Sequence, residues 1–146
     1  MEVDQISAEV VDSCIHIHRS LGPGLLETVY ETVLAGELAR RGLKVDRQVP
    51  VDIEFNGVVH SAAFRADLIV EDRLILEIKS VENLSKAHLK QLLTYLRLTN
   101  QPVRLLLNFA GATMKEGIRR VVNDHQQPQA LSASPRLRVK NKTGDQ

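Results

Sequence analysis

The sequence predicts a single α/β domain whose mixed, four-stranded sheet is flanked by helices. Three observations carry this prediction: apolar residues at helical spacing early in the chain, strand-like alternation in its middle, and a strand–helix–strand order toward its end. The expected order is helix, helix, three antiparallel strands, helix, parallel strand and helix. A chain of 146 residues is long enough for one domain with a sizeable core, which we assign to residues 1–124.

Two amphipathic helices are expected at the start of the chain. Each is predicted to end at a glycine, Gly22 and Gly42, and a Gly-Pro-Gly break separates them. Cys14 and His18 lie one turn apart on the first helix, where a core thiol beside a surface histidine is favoured over a metal site. The residues expected on the two apolar sides are Ile6, Val10, Cys14, Ile17 and Leu21, then Leu26, Val29, Tyr30, Val33, Leu34 and Leu38.

The middle of the chain is predicted to form three antiparallel strands. Apolar and polar residues alternate from residue 45 to 55, and Pro50 indicates a sheet edge because proline cannot donate to a ladder. Asn56-Gly57 is a strong signal for a two-residue hairpin turn. The second strand is therefore expected from about residue 58 to residue 70, and the third strand follows it.

The hairpin between the second and third strands is predicted to bring two carboxylates together. A three-residue turn centred on Asp72 places Asp67 directly across from Glu77. Like charges in opposite positions are destabilising, and both residues lie in mainly apolar runs. We expect a cation to bridge them, either Lys79, which shares the face of Glu77, or a divalent metal. The structural alternative is a solvated ion pair between Glu77 and Lys79, with Asp67 at a strand end.

A third helix is expected directly after the strand that carries Glu77. Asn83 or Ser85 can cap it. Because the helix leaves that strand, its polar side is expected to look back on Glu77 and Lys79. The core stripe is Leu89, Leu92, Leu93 and Leu96, and the polar stripe beside it is His88, Gln91 and Tyr95.

A buried strand and a last helix complete the predicted domain. Residues 103–109 are apolar apart from Arg104 and Asn108, which indicates a strand covered on both faces. The crossover through the third helix makes this strand parallel to the Glu77 strand. Thr113 and Glu116 match a capping box, which predicts a final helix through residues 118–122.

Composition limits the classes of function and the environment. The formal net charge of +1 gives no global attraction to nucleic acid, so such binding has to come from a local patch. A single cysteine excludes an internal disulfide and favours a reducing compartment, and no apolar run predicts a membrane span, so we expect a cytoplasmic protein. The basic segment 125–146 is expected to be a disordered tail. The oligomeric state is left open, a homodimer included.

Several short sequence blocks resemble a known nuclease superfamily. The order of elements, with Asp67 followed by Glu77-Ile78-Lys79, resembles the PD-(D/E)xK nucleases, although Ala66 stands where the superfamily name has proline. Gly24-Leu-Leu-Glu27-Thr-Val-Tyr30 is similar to the signature of the GxxExxY proteins, and the resemblance runs from about residue 6 to residue 123. The other similar blocks are Arg65-Ala-Asp67, Glu77-Ile-Lys79, His88-Leu-Lys-Gln91-Leu-Leu-Thr-Tyr95-Leu and Leu107-Asn-Phe109.

This resemblance implies a restriction-endonuclease-like core and a metal-dependent nuclease. Asp67 and Glu77 would then be metal-binding carboxylates for Mg²⁺ or Mn²⁺, and Lys79 the catalytic lysine. The roles that it implies for the remaining positions are a completing acidic ligand at Glu27 and polar catalytic positions at Gln91 and Tyr95. The backbone carbonyl of Ile78 is a further expected ligand, because its neighbours on both sides face the site.

The expected partner is a nucleic acid, with DNA and RNA not distinguished and no membrane involved. The alternative is a non-catalytic module that keeps the nuclease fold to bind nucleic acid or a protein.

Overall fold

The computed structural model of the chain describes residues 1–98 and 103–122, apart from the side chains at positions 95 and 96. The expected tail, residues 125–146, lies outside these residues. The elements are α1 (Val3–Leu21), α2 (Glu27–Arg40), β1 (Val45–Phe55), β2 (Val58–Val70), β3 (Leu74–Lys79), α3 (Lys86–Leu98), β4 (Val103–Asn108), α4 (Met114–Gly117) and β5 (Ile118–Val122).

The strands form one mixed sheet in the order β1-β2-β3-β4-β5. Only β3 and β4 run parallel, and the other neighbouring pairs are antiparallel. The predicted α/β class, the edge position of the strand with Pro50 and the parallel crossover are therefore confirmed. The hairpin turn between β1 and β2 is confirmed as well, since Asn56 and Gly57 both adopt the left-handed conformation that it requires.

The predicted final helix is wrong, and a fifth strand takes its place. The helix α4 has four residues, and the Thr113 side chain makes no capping hydrogen bond. Residues 118–122 instead pair antiparallel with β4, so the sheet has five strands rather than four. The β-branched side chains of this segment suit a strand, and the open edge of β4 offers its backbone a ladder of hydrogen bonds.

The helices cover the two faces of the sheet unequally. The larger core lies between one face of the sheet and the helices α1 and α2, and a smaller apolar cluster lies on the α3 side. On α2 the prediction holds only in part: Tyr30 and Leu34 are buried, whereas Val29 and Val33 are exposed. In the described parts of the chain, no helix is long and apolar enough to cross a membrane.

His18 on α1 is buried, which corrects the expected surface position. Its Nε2–H donates a hydrogen bond of 2.9 Å to the carbonyl oxygen of Gly111, so the ring joins α1 to the loop after β4. Cys14 is a core residue as predicted, and burial raises the pKa of its thiol. Cys14 therefore serves packing, and His18 holds the loop after β4 against α1.

At Gly117 the backbone of α4 closely approaches the end of β4. A Cβ atom at this position would lie 1.9 Å from the backbone oxygen of Asn108, which no side-chain movement can relieve. We expect Gly117→Ala to lower the free energy of unfolding by roughly 1–3 kcal/mol, as overpacking does. Urea denaturation with the full chain measures it.

Gly36 on α2 is the matched control, because it is exposed and a Cβ there would meet nothing within 4 Å. Gly36→Ala should raise the free energy of unfolding by about 0.5–1 kcal/mol, since alanine favours the helix. If both variants changed stability in the same direction, the close approach at Gly117 would not limit this fold.

Candidate functional site

Asp67 and Glu77 lie opposite each other across the β2–β3 hairpin. The pairs Leu68–Leu76, Ile69–Ile75 and Val70–Leu74 have a constant sum of residue numbers, and the next pair in this register is Asp67 with Glu77. The turn uses left-handed backbone at Glu71 and Asp72, and Arg73 N–H donates to the Val70 carbonyl at 3.0 Å. The predicted register is confirmed over these three pairs, and Asp67 is close enough to Glu77 for its charge to act on that carboxyl.

The Asp67 carboxylate is held by two hydrogen bonds. The backbone N–H of Ile78 donates to Oδ2 at 2.8 Å, and the side-chain amide of Gln48 on β1 donates to Oδ1 at 3.2 Å. One donor comes from each neighbouring strand. Because each carboxylate oxygen has two acceptor positions, these bonds fix the orientation of Asp67 and leave room for a further ligand.

Glu77 is the buried member of the pair. Its side chain is 5 % exposed, and its Oε2 atom has no hydrogen-bond partner among the described residues. Burial, and after it the charge of Asp67, raises the pKa of Glu77 to about 9. Without a bound metal ion, Glu77 therefore carries a proton at neutral pH.

Lys79 is close enough to Glu77 for its charge to oppose this rise in the pKa. Lys79 is half-buried, and it takes no part in the ion pairs of the residues that the structure describes. Of the two predicted bridging cations, the lysine thus does not form a direct salt bridge with the pair. Its ammonium remains a positive charge beside the carboxylates.

The Glu27 side chain lies near the end of β3 and accepts a hydrogen bond from the loop that follows this strand. It is the first residue of α2, and its Oε2 accepts a 3.2 Å hydrogen bond from the backbone N–H of Ser80. The Ser80 hydroxyl donates to the Leu25 carbonyl at 2.7 Å. The start of α2 is therefore tied directly to the residue that follows Lys79.

The segment Gly24–Tyr30 owes its geometry to Tyr30. The Tyr30 hydroxyl donates to the Gly22 carbonyl at 2.5 Å and accepts from Leu25 N–H at 3.2 Å, which closes the loop before α2. Its ring stacks on Phe109 with centroids 4.2 Å apart and planes 9° from parallel. Gly24 has a φ of 95°, which favours glycine.

The carboxyl ends of β3 and β4 are joined by Asn108 and Phe109. Phe109 N–H donates to the Lys79 carbonyl at 2.8 Å. The Asn108 side chain accepts from Val81 N–H at 3.1 Å and donates to the Val81 carbonyl at 3.0 Å. These bonds hold the chain on both sides of Ser80, where Glu27 binds.

Glu31 and Gln48 belong to the site although no role was predicted for either. Glu31 on α2 is 6 % exposed, and its two oxygens accept from Gln48 Nε2 at 2.8 Å and Arg47 Nε at 3.2 Å. Gln48 therefore links Glu31 to Asp67. A signal for Glu31 was available, since it follows Glu27 by one helical turn and so lies on the same side of α2.

The remaining predicted residues are brought together less closely. Gln91 is exposed on α3, and no hydrogen bond within the described ranges joins it to Asp67 or Glu77. The Tyr95 side chain lies outside the described residues. Ile78 contributes its backbone N–H to Asp67, and a ligand role for its carbonyl stays a prediction.

The carboxylate pair suits a small, hard cation. Within residues 1–98 and 103–122, no three acidic, histidine or cysteine side chains are gathered tightly enough to hold a metal ion. Two carboxylates suffice for Mg²⁺, which keeps several waters and takes one or two carboxylates from the protein. The buried Oε2 of Glu77 offers such an ion an oxygen that accepts no hydrogen bond from the part of the chain that the structure describes.

Comparison with known proteins assigns the family. A family model described as the PD-(D/E)XK nuclease superfamily matches residues 4–121. The chain belongs to this superfamily. Nucleases of this superfamily generally use divalent metals and act on nucleic acid. The mixed sheet and flanking helices agree with its restriction-endonuclease-like fold, with five strands in place of the predicted four. No curated protein and no solved structure matches the chain significantly.

The raised pKa of Glu77 predicts how stability depends on pH. The folded state holds this proton to about pH 9, whereas an ordinary glutamate releases it near 4.5. The unfolded chain therefore releases the proton first, and stability is lost as pH rises between these values, by at most about 1.4 kcal/mol per pH unit. Glu77→Gln removes this contribution.

The measurement is urea unfolding of the wild type and Glu77→Gln in EDTA, at about pH 5 and about pH 8. The free energy of unfolding of the wild type should fall relative to that of the variant over this range. Equal changes in the two proteins would mean that Glu77 ionises like a solvated carboxylate.

Proposed function

We propose that this protein is a metal-dependent nuclease that hydrolyses phosphodiester bonds. The observation that carries the proposal is the closeness of Asp67 to Glu77, whose buried Oε2 has no hydrogen-bond partner within the described chain. Two facing carboxylates at the end of a central strand are costly for the fold unless they bind a cation. This cost is understandable if the pair serves a reaction.

Asp67 and Glu77 would hold Mg²⁺ or Mn²⁺, with the backbone carbonyl of Ile78 as a further ligand. When bound, such an ion neutralises charge on the scissile phosphate and lowers the pKa of a coordinated water. Asp67 is already oriented by Ile78 N–H and Gln48. Glu27, which binds the backbone N–H of Ser80 just after the site strand, would be the completing acidic ligand.

Lys79 would act on the substrate rather than on the metal. An ammonium is a donor with no acceptor position, so it cannot be a metal ligand. Its charge already acts on Glu77, which follows from the lowering effect of Lys79 on the Glu77 pKa. We assign Lys79 the role of orienting the attacking water or stabilising the negative charge that develops on the phosphate.

The proposed surface for nucleic acid includes helix α3, which follows the site strand. Its described sequence carries Lys86, Lys90 and Arg97 and no acidic residue. Lys86 and Lys90 are exposed. A chain with a net charge of only +1 needs such a local patch to attract phosphates. Gln91 and Tyr95 lie on the same helix, which supports their proposed place beside the substrate.

We further propose that the chain is a GxxExxY protein within the superfamily. Three residues of this signature have structural roles: Gly24 forms the turn, Glu27 binds Ser80 and Tyr30 stacks on Phe109. All three anchor α2 at the end of β3. The signature thus supports the site through the position of a helix.

One observation favours the alternative of a non-catalytic binding module. Glu27 accepts a hydrogen bond from Ser80 N–H instead of joining the pair, and no third acidic side chain within the described ranges completes a metal cluster. A module that only binds nucleic acid or a protein has no need of a metal. Metal binding therefore separates the two functions.

The test uses the full chain with panels of DNA and RNA in Mg²⁺ or Mn²⁺. We expect cleavage by the wild type and a metal-dependent rise in its melting temperature, since the metal binds the folded state. Lys79→Ala should lose cleavage but keep the metal-dependent thermal shift, because its metal affinity should change by no more than a few-fold. Glu77→Gln should lose both.

Lys115→Ala, which removes an exposed lysine from α4, is the matched control and should cleave like the wild type. Cleavage by Lys79→Ala at the wild-type rate would remove Lys79 from the reaction. A wild type that binds nucleic acid without responding to metal would establish the alternative function.

A further inference from the structure

We propose that Gln48 is a positioning residue, which holds the Asp67 carboxylate in place for the metal and connects it to Glu31 on α2. This inference rests on the proposed function. It concerns a residue on the edge strand β1, outside every sequence block that resembles a nuclease. The evidence is one side-chain amide that hydrogen-bonds two carboxylates.

The two hydrogen bonds use both donors of the amide. Gln48 Nε2 lies 2.8 Å from Glu31 Oε1 and 3.2 Å from Asp67 Oδ1. A primary amide nitrogen has two N–H groups, so it donates to both carboxylates at once. Hydrogen bonds to a charged group are stronger than those between neutral groups, so the bond from Gln48 favours one orientation of the Asp67 side chain.

A neutral donor is suited to this position. A lysine or arginine between Glu31 and Asp67 would neutralise Asp67 and compete with a metal ion for it. The amide orients Asp67 and leaves its negative charge in place. Arg47 instead binds the other oxygen of Glu31, at 3.2 Å, and does not pair with Asp67.

The backbone of Gln48 is also held in an unusual conformation. Its φ is 51°, in the left-handed region that residues with a side chain rarely adopt, and its carbonyl accepts from Arg65 Nη1 at 2.9 Å. Such a conformation is unfavourable for a residue with a side chain and persists where the surroundings enforce it. Here it accompanies a side chain that reaches both Glu31 and Asp67.

The result is a second attachment of α2 to the site. Glu27 binds the amide of Ser80, and Glu31, one turn later, reaches Asp67 through Gln48. Both attachments start from carboxylates on the same side of one helix. The position of α2 and the orientation of Asp67 are therefore coupled, and Gln48 is the residue that couples them.

The experiment compares Gln48→Met with Arg47→Met. Methionine keeps the length of glutamine and removes both donors, whereas Arg47→Met removes a donor to Glu31 without touching Asp67. Isothermal titration of the full-length proteins with Mn²⁺ should show affinity weakened by about 10–100-fold in Gln48→Met and within about threefold of wild type in Arg47→Met. Cleavage by Gln48→Met should return toward the wild-type rate at saturating Mn²⁺.

Gln48→Asn separates positioning from folding. Asparagine accepts the left-handed backbone readily, but its side chain is one methylene too short to keep both bonds. We expect its metal-free melting temperature to stay at least as high as that of Gln48→Met, with a similar loss of Mn²⁺ affinity. Faster hydrogen exchange at Ile78 N–H in both variants, measured without metal, should accompany the loosened Asp67.

Three outcomes overturn the inference. Wild-type Mn²⁺ affinity in Gln48→Met would show that Asp67 needs no positioning by the amide. Equal weakening in Gln48→Met and Arg47→Met would assign Gln48 a general structural role. A wild type without any metal response would remove the proposed function and this inference together, which distinguishes that failure from the other two.

Discussion

The structure depends on the cost of placing two carboxylates opposite each other on one face of a sheet. Asp67 is held by donors from the strands on either side, and Glu77 is buried against it with one oxygen unpartnered in the described chain. Like charges in this arrangement repel, and burial deprives them of water. The protein relieves the conflict in the absence of metal by keeping a proton on Glu77, whose pKa is raised to about 9.

Much of the surrounding structure serves to hold the end of β3 beside this pair. Tyr30, Asn108 and Phe109 contribute a stacked ring pair and several backbone hydrogen bonds, and Glu27 binds the amide after Lys79. These contacts come from α2, β4 and the loops next to them. These contacts keep the end of β3 from fraying and resist small displacements of Lys79.

Helix α2 connects the core to the site. Its buried side packs into the larger core through Tyr30, Leu34 and Leu38. Two of its carboxylates connect that core to the site: Glu27 binds Ser80 after β3, and Glu31 reaches Asp67 on β2 through Gln48. The hydrophobic packing of this helix and the orientation of the Asp67 carboxylate are therefore linked.

The sequence by itself determined the features that follow from local periodicity. Alternation along the strands and a turn centred on Asp72 were enough to place Asp67 opposite Glu77, because the side-chain period of a strand admits no other face. The strand–helix–strand order likewise determined the parallel pairing of β3 with β4.

Tertiary structure alone decided that residues 118–122 form β5, since a short segment of either type was compatible with the pattern and the open edge of β4 stabilised the strand. It also decided the links from Glu27 to Ser80 and from Glu31 through Gln48 to Asp67, which join positions 53, 17 and 19 residues apart. Such bonds depend on where a helix docks against a sheet, and local periodicity carries no information about that distance.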